Sequence, residues 1–175
     1  IDTADVYSGQ QSERVVGKVV KARRDQLFIA TKVGRRLNPH DAAGYNPQNI
    51  RQFVEEALVN TGLDTLDLVQ LHCPPTPVYA KAEVFGELAK LKQEGKIRHF
   101  GASVEKVEEA LQAIQYEELA TIQIIFNMFR QKPIDAFFPA AQQKNIGVIV
   151  RVPLASGLLT GKITRDTQFG PKDHR

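Results

Sequence analysis

The stretch LDLVQLHCP, residues 66–74, is the clearest guide to the fold of this chain. Its first six residues form a short, mostly apolar run, and His72 follows directly. A short apolar run of this kind is typical of a strand that is covered on both faces, as the strands of parallel sheets are. The stretch therefore predicts a buried parallel strand with His72 at its carboxyl end.

Other segments of the chain have the same character. The predicted strands are residues 27–31, 97–102, 121–126 and 148–152, and residues 1–4 form a strand stub at the N-terminal end. Amphipathic, helix-like sequence lies between each predicted strand and the next. This alternation indicates repeated βα units.

The clearest predicted helix begins at Asn46, with Pro47 in its first turn, a favourable pair for a helix start. Its apolar residues share one helical face and are Ile50, Phe53, Val54, Ala57 and Leu58. Similar apolar stripes predict four more helices, at residues 15–20, 84–91, 107–114 and 134–141.

Strand starts recur every 24 to 39 residues, which favours a barrel or a doubly wound sheet over a sandwich. A complete (β/α)8 TIM barrel takes about 250 residues, whereas this chain has 175. On the barrel interpretation, about strands 2 to 7 are present. We therefore expect residues 1–175 to form a single α/β domain, an incomplete TIM barrel that is truncated at both ends.

The composition argues against several classes of protein. Its 42% of apolar and 25% of charged residues are typical of globular domains. The net charge is only +3 and the basic residues are scattered, so nucleic acid is not an expected partner. No apolar run approaches the roughly 18 residues of a membrane span, and the single cysteine, Cys73, cannot form an internal disulfide. We expect a cytoplasmic protein with no membrane partner, and the oligomeric state stays open.

Four polar residues lie where predicted strands end. Asp2 and Tyr7 belong to the stub and the residues after it, Lys32 follows the strand at residues 27–31, and His72 follows residues 66–71. The carboxyl ends of strands carry the active site in TIM barrels. We therefore expect these four side chains to converge.

The four residue types suit carbonyl chemistry. A tyrosine ordinarily ionises near pH 10, so a tyrosine that donates a proton at neutral pH needs a nearby cation, which Lys32 could supply. Asp2 is the carboxylate that a buried ammonium requires, and His72 could polarise or orient a carbonyl oxygen. No side chain delivers hydride, so a nicotinamide cofactor is implied.

Each of the four residues also has an ordinary structural explanation. Asp2 could cap a turn, Tyr7 could pack as a core aromatic, and Lys32 could be an exposed strand-end lysine. His72 could be a hydrogen-bonded core histidine. The residues alone leave an enzyme site and a coincidence both open.

Five stretches, in this order, resemble successive motifs of the aldo-keto reductase superfamily. They are IDTADVY at residues 1–7, FIATKVG at 28–34, LDLVQLHCP at 66–74, GKIRHFGAS at 95–103 and PLASGLLTGK at 153–162. The resemblance covers essentially the whole chain. It implies a TIM barrel that reduces aldehyde or ketone carbonyls to alcohols with NADP(H), with NAD(H) as the alternative. By the resemblance, Tyr7 is the general acid of a tetrad completed by Lys32, Asp2 and His72.

The resemblance also implies contacts with the cofactor. Ser103 and Gln123 match the family residues that hydrogen-bond the nicotinamide carboxamide. The loop along the cofactor pyrophosphate would use backbone amides, and its residues include Pro153, Leu154, Ser156 and Leu158.

Two positions depart from the family pattern. Val104 stands where many members have asparagine, which removes one expected hydrogen bond to the carboxamide. Arg151 stands where many members stack an aromatic ring on the nicotinamide. A guanidinium can stack too, but its positive charge beside a cationic oxidised ring favours the reduced cofactor. We expect Arg151 to bias the protein toward reduction.

Two other functions stay open at this stage. The first is a non-catalytic or redox-sensing regulatory subunit that keeps the barrel and binds NADP(H). The second is a TIM-barrel hydrolase or lyase without nicotinamide, in which His72 and Asp2 act as an acid and base pair.

Metal and substrate sites are less well indicated by the sequence. The four histidines, His40, His72, His99 and His174, lack metal-ligand spacing, so no metal site is expected. The physiological substrate is not readable because barrel specificity depends on loops. The candidates to line the mouth of the site are Tyr45, Phe126, Asn127 and Arg130.

Overall fold

A parallel sheet organises the structure, a computed structural model that describes residues 1–23 and 27–173. Its five strands are β1 (Ala30–Val33), β2 (Leu66–His72), β3 (Ile97–Ser103), β4 (Leu119–Ile125) and β5 (Gly147–Arg151), and they lie side by side in chain order. All neighbouring strands are parallel. The extended N-terminal segment lies along the free side of β1, where Asp2 forms a parallel bridge with Ala30.

Helices connect the strands of this sheet. The described residues form α1 (Gln11–Ala22), α2 (Pro47–Thr61), α3 (Ala82–Gln93), α4 (Val107–Ala113) and α5 (Phe137–Gln143). The first helix follows the N-terminal segment, and each of the others lies between two consecutive strands. No helix within the described ranges is long and apolar enough to cross a membrane.

This order of elements confirms the predicted α/β fold of consecutive parallel βα units. It is consistent with an incomplete (β/α)8 barrel, and within residues 1–23 and 27–173 the sheet does not close on itself. The predicted bounds of the strand at residues 27–31 are wrong, since β1 begins at Ala30. The backbone N–H of Ile29 donates to the Asp67 carboxylate at 2.9 Å, so a side chain takes the place of a ladder partner there.

The helix α2 begins and ends as its sequence predicts. The Asn46 side chain accepts a hydrogen bond from the backbone N–H of Asn49 at 2.9 Å, and Pro47 occupies the first turn. Gly62 ends the helix in the left-handed conformation, with φ 63°. The predicted apolar face is buried at Ile50, Phe53, Val54 and Ala57.

The helix α1 buries only part of the predicted valine stripe. Val15 and Val19 are exposed, whereas Glu13, Gly17 and Val20 are buried. A Cβ at Gly17 would lie 2.1 Å from the carbonyl oxygen of Thr61, so only glycine allows α1 to approach the end of α2 this closely. The close approach at Gly17, together with the burial of Val20, therefore decides which face of α1 is buried.

The two faces of the sheet have opposite character. Residues paired in register on parallel strands point to the same face. The core face, packed against the helices, includes Val33, Leu71, Ala102 and Ile122. The opposite face carries a row of polar or small residues, namely Lys32, Gln70, Gly101 and Thr121. We call this opposite face the polar face of the sheet, and the candidate site lies on it.

Candidate active site

The carboxyl ends of the strands bring polar side chains together on the polar face. His72, the last residue of β2, pairs in register with Ser103, the last residue of β3, and Ser103 pairs with Gln123 in β4. Lys32 lies on the same face of β1, with Asp2 beside it on the N-terminal segment. Side chains from the N-terminal segment and four consecutive strands therefore share one edge.

Lys32 and Asp2 form a charge-assisted hydrogen bond. The Lys32 Nζ donates to Asp2 Oδ2 at 2.6 Å and to the backbone carbonyl of Thr3 at 2.8 Å. The two partners are unequally buried, since the lysine side chain is 2% exposed and the aspartate side chain 46%. The ammonium therefore depends on these two acceptors, while the carboxylate also reaches solvent.

Tyr7 lies between Lys32 and His72. The Lys32 Nζ lies 5.3 Å from the centre of the Tyr7 ring. The tyrosine and histidine rings meet edge to face, with centroids 5.9 Å apart. Tyr7 is 42% exposed, so a ligand at this edge can reach it. The structure thus brings together the four residues that the sequence singles out.

His72 is held in its neutral form. Burial is the main cause that lowers the pKa of its imidazole to about 3, and the positive charges of Lys32, Arg35 and Arg151 lower it further. The Nδ1 atom is buried and has no hydrogen-bond partner among the described residues. At neutral pH the ring can therefore offer a hydrogen bond to a ligand without adding a charge.

The histidine pKa predicts a loss of stability in acid. An unfolded histidine titrates near 6.5, well above the folded value of about 3 for His72. Below pH 6.5 the unfolded chain therefore binds a proton that the folded chain does not, and this group lowers stability as the pH falls. Between pH 6.5 and pH 5 the loss is about 2 kcal/mol.

The measurement is urea unfolding of the wild type and of His72→Gln at pH 7 and pH 5. The variant should gain about 2 kcal/mol relative to the wild type on going to pH 5. The comparison between the two proteins removes other titrating groups, such as Asp5, whose pKa burial raises to about 6. Parallel loss of stability in both proteins would contradict the assignment of a neutral His72.

The two predicted carboxamide ligands contact each other and the tetrad. The Ser103 hydroxyl donates to Gln123 Oε1 at 3.3 Å, and Gln123 Nε2 donates to Asp2 Oδ1 at 3.2 Å. Ser103 and Gln123 are both buried, and the Cys73 thiol lies 3.4 Å from the serine hydroxyl. The sequence did not predict the contact between Gln123 and Asp2, because it joins residues 121 positions apart.

Arg151 lies at the carboxyl end of β5, beside Val104, the other residue that departs from the family pattern. Its Nη2 donates to the backbone carbonyl of Val104 at 3.1 Å. Its Nε atom is buried and has no hydrogen-bond partner among the described residues. The guanidinium therefore occupies the edge next to Ser103.

The loop after β5 lies at the same edge of the sheet. Residues Ala155–Thr160 form a short 3-10 helix with a kink, where Ser156 and Gly157 have positive φ angles. The side chains predicted to lie along the cofactor are exposed, namely Pro153, Leu154, Ser156 and Leu158. The structure shows their position, and their role as cofactor contacts stays a prediction.

Two of the residues considered for the mouth serve the fold instead. Tyr45 is fully buried, its ring lies against Gly34, and its hydroxyl lies 2.9 Å from His40 Nε2. The Asn127 side chain accepts hydrogen bonds from the backbone N–H groups of residues 129 and 130 at 3.0 and 3.1 Å, and so stabilises its own turn. The sequence alone does not show whether an aromatic or amide side chain in a loop points toward the solvent.

One buried polar residue on this face was missed by the sequence interpretation. The Gln70 side chain is fully buried, and neither atom of its amide has a partner among the described residues. Gln70 pairs in register with Lys32 and lies two residues before His72, on the same face of β2. A single glutamine inside an apolar run is only a weak indication of a site residue. Its register with Lys32 on the neighbouring strand could have placed Gln70 on the polar face.

Possible metal ligands are dispersed in the structure. Within the described ranges, no group of three or more histidine, cysteine, aspartate or glutamate side chains could hold a metal ion. His174 lies outside the described residues.

The fold and the polar side chains at the carboxyl edge of the sheet are those that the resemblance to aldo-keto reductases predicts. Comparison with known proteins agrees with this resemblance. A model of the aldo/keto reductase family matches residues 1–175. The chain belongs to this family.

Known relatives are similar over nearly the whole chain. The NADH-specific methylglyoxal reductase of Escherichia coli is 33% identical, covering 95% of this chain and 55% of the relative. The glycerol dehydrogenase AKR11B4 of Gluconobacter oxydans is 35% identical, with a TM-score of 0.84 over 100% of this chain and 55% of that protein. An aldo-keto reductase of Klebsiella pneumoniae, solved with NADPH, is 26% identical, with a TM-score of 0.75 over 90% of this chain and 53% of that protein. The chain thus spans about half the length of the relatives it matches.

Proposed function

We propose that the protein is a nicotinamide-dependent oxidoreductase that reduces aldehyde or ketone carbonyls to alcohols. The observation that carries the proposal is the convergence of Asp2, Tyr7, Lys32 and His72 at one edge of a parallel sheet. Membership of the aldo/keto reductase family supports it. Among the described residues, one hydrophobic cluster packs α2 to α5 against the sheet, which supports the proposal of one domain over residues 1–175.

The cofactor proposed is NADP(H), with NAD(H) as the alternative. Both are represented among the relatives, one solved with NADPH and one named as NADH-specific. A carboxamide needs donors and acceptors, and the buried Ser103 hydroxyl and Gln123 amide offer both. The unpartnered Nε of Arg151 is a further donor at this edge. The remaining proposed contacts come from the loop after β5, namely Pro153, Leu154, Ser156 and Leu158.

The proposed roles of the side chains follow from their contacts. When bound, the cofactor supplies the hydride. The substrate carbonyl oxygen accepts hydrogen bonds from Tyr7 and from neutral His72, and Tyr7 gives its proton to that oxygen. The charge of Lys32, 5.3 Å from the Tyr7 ring, stabilises the phenolate that remains. Asp2 neutralises the ammonium and fixes its position.

The proposal is tested with the full-length protein, NADPH or NADH, and a panel of small aldehydes and ketones that includes methylglyoxal. The expected result is loss of the absorbance of the reduced cofactor that depends on the added carbonyl. Cofactor binding without turnover of any carbonyl would instead favour the regulatory subunit. Failure to bind either cofactor would overturn the proposal and favour a hydrolase or lyase without nicotinamide.

A further inference from the structure

A continuous chain of hydrogen bonds crosses the polar face from the tetrad to the proposed cofactor ligands. Lys32 Nζ donates to one oxygen of Asp2 at 2.6 Å, and Gln123 Nε2 donates to the other at 3.2 Å. The amide oxygen of Gln123 in turn accepts from the Ser103 hydroxyl at 3.3 Å. Both oxygens of the Asp2 carboxylate are thus engaged, one by a cation and one by an amide.

Most residues of this hydrogen-bond chain are shielded from water. Lys32, Ser103 and Gln123 are all buried, and Asp2 alone is substantially exposed. Hydrogen bonds in such an environment are stronger than in water, and neighbouring bonds polarise each other. A change at one end of the chain therefore alters the charge distribution at the other end.

The Gln123 amide has consequences for the charge that acts on Tyr7. Its N–H donation spreads the negative charge of Asp2 over a second hydrogen bond. Lys32 is then less completely neutralised, and more of its positive charge acts on the Tyr7 ring 5.3 Å away. Other charged or titratable groups near this cluster are His72 on β2 and the Cys73 thiol, 3.4 Å from the Ser103 hydroxyl. The charges of Arg35, Arg151 and His40 act in turn on His72.

We propose that Gln123 is a positioning residue for the proton donor, which it holds through Asp2 and Lys32, and not only a cofactor ligand. A carboxamide that binds Ser103 and Gln123 must exchange hydrogen bonds with this same chain. Occupancy of the cofactor site is thereby coupled to proton donation by Tyr7. The inference rests on the proposed function and extends it.

The test compares Gln123→Met with two other variants in the full-length protein. Methionine keeps the length of the side chain and removes both hydrogen bonds. The measurements are KM for NADPH and the pH profile of kcat at saturating NADPH. Gln123→Met should raise KM, lower kcat roughly 10-fold, and move the alkaline limb of the profile to higher pH, because Tyr7 then loses part of the stabilising field.

The two comparison variants separate binding from positioning. Ser103→Ala removes the far end of the hydrogen-bond chain but keeps the contact between Gln123 and Asp2, so it should raise KM and move the alkaline limb much less than Gln123→Met does. Gln70→Met is the matched control, because Gln70 lies on the same face and makes no hydrogen bond to Asp2 within the described part of the chain. It should change neither KM nor the limb.

The contrary outcomes distinguish failure of the inference about Gln123 from failure of the proposed function. If Gln123→Met raises KM as Ser103→Ala does and leaves the alkaline limb in place, Gln123 only binds cofactor and the inference is overturned. If Gln123→Met does not fold, Gln123→Glu, which adds a negative charge beside Asp2, must move the limb further upward, and an unmoved limb overturns the inference. Absence of carbonyl turnover in the wild type would overturn the proposed function, and the inference with it.

Discussion

Tyr7→Phe is expected to lower carbonyl turnover by roughly 10²-fold or more, the typical contribution of a positioned proton donor. The substitution removes only the hydroxyl. The ring keeps its edge-to-face contact with His72, and the Lys32 ammonium remains at the same distance. Binding of NADPH should therefore be nearly unchanged, and the loss should fall on kcat.

The measurement is steady-state reduction of the best carbonyl substrate, with NADPH affinity determined separately by fluorescence titration. Tyr116→Phe is the matched control, since the Tyr116 hydroxyl donates to the backbone carbonyl of Tyr79 at 3.0 Å, away from the site. It should cost about 1 kcal/mol of stability and leave kcat unchanged. Full activity in Tyr7→Phe would show that another group donates the proton.

The elements that were predictable from sequence are those whose local signals agree with their packing. In α2, the Asn46 cap, the Pro47 start and the apolar face all indicate the same helix, and tertiary contacts reinforce it. In α1, the valine stripe correctly places Val20 in the core, but Val15 and Val19 are exposed because the helix approaches Thr61 through Gly17. Such a backbone contact depends on a neighbouring helix, so periodicity within one helix cannot reveal it.

The candidate site was predictable where strand ends determine positions. Parallel strands carry their carboxyl ends to one edge, so Lys32 and His72 could be brought together from sequence, along with Asp2 and Tyr7 from the N-terminal segment. The hydrogen bond between Gln123 and Asp2 depends on side-chain reach across the polar face, which register alone does not give. The burial of Tyr45 likewise depends on how the loop after β1 folds back over Gly34.

The ion pair between Lys32 and Asp2 should respond asymmetrically to substitution, because its two partners differ in burial. Asp2→Asn leaves the ammonium buried, with the carbonyl of Thr3 as its remaining strong acceptor. Leaving a buried charge without its counter-charge costs about 3 kcal/mol, toward the lower end of the usual range. Lys32→Met leaves a carboxylate that is 46% exposed and still accepts from Gln123. Its cost should be within about 1 kcal/mol.

Lys32→Met should lose roughly 10²-fold in kcat because it removes the positive charge that acts on Tyr7. Asp2→Asn should also lower kcat, because the ammonium is no longer fixed in position by the carboxylate. Urea unfolding then separates the two effects, since Asp2→Asn should be clearly destabilised and Lys32→Met nearly as stable as the wild type. The double variant completes the cycle and should recover most of the stability that Asp2→Asn loses, because it no longer contains a buried, unpaired ammonium. The prediction is wrong if the two single substitutions lower the free energy of unfolding equally and the double variant does not recover stability. That result would show that the buried, unpaired Lys32 ammonium does not destabilise the protein.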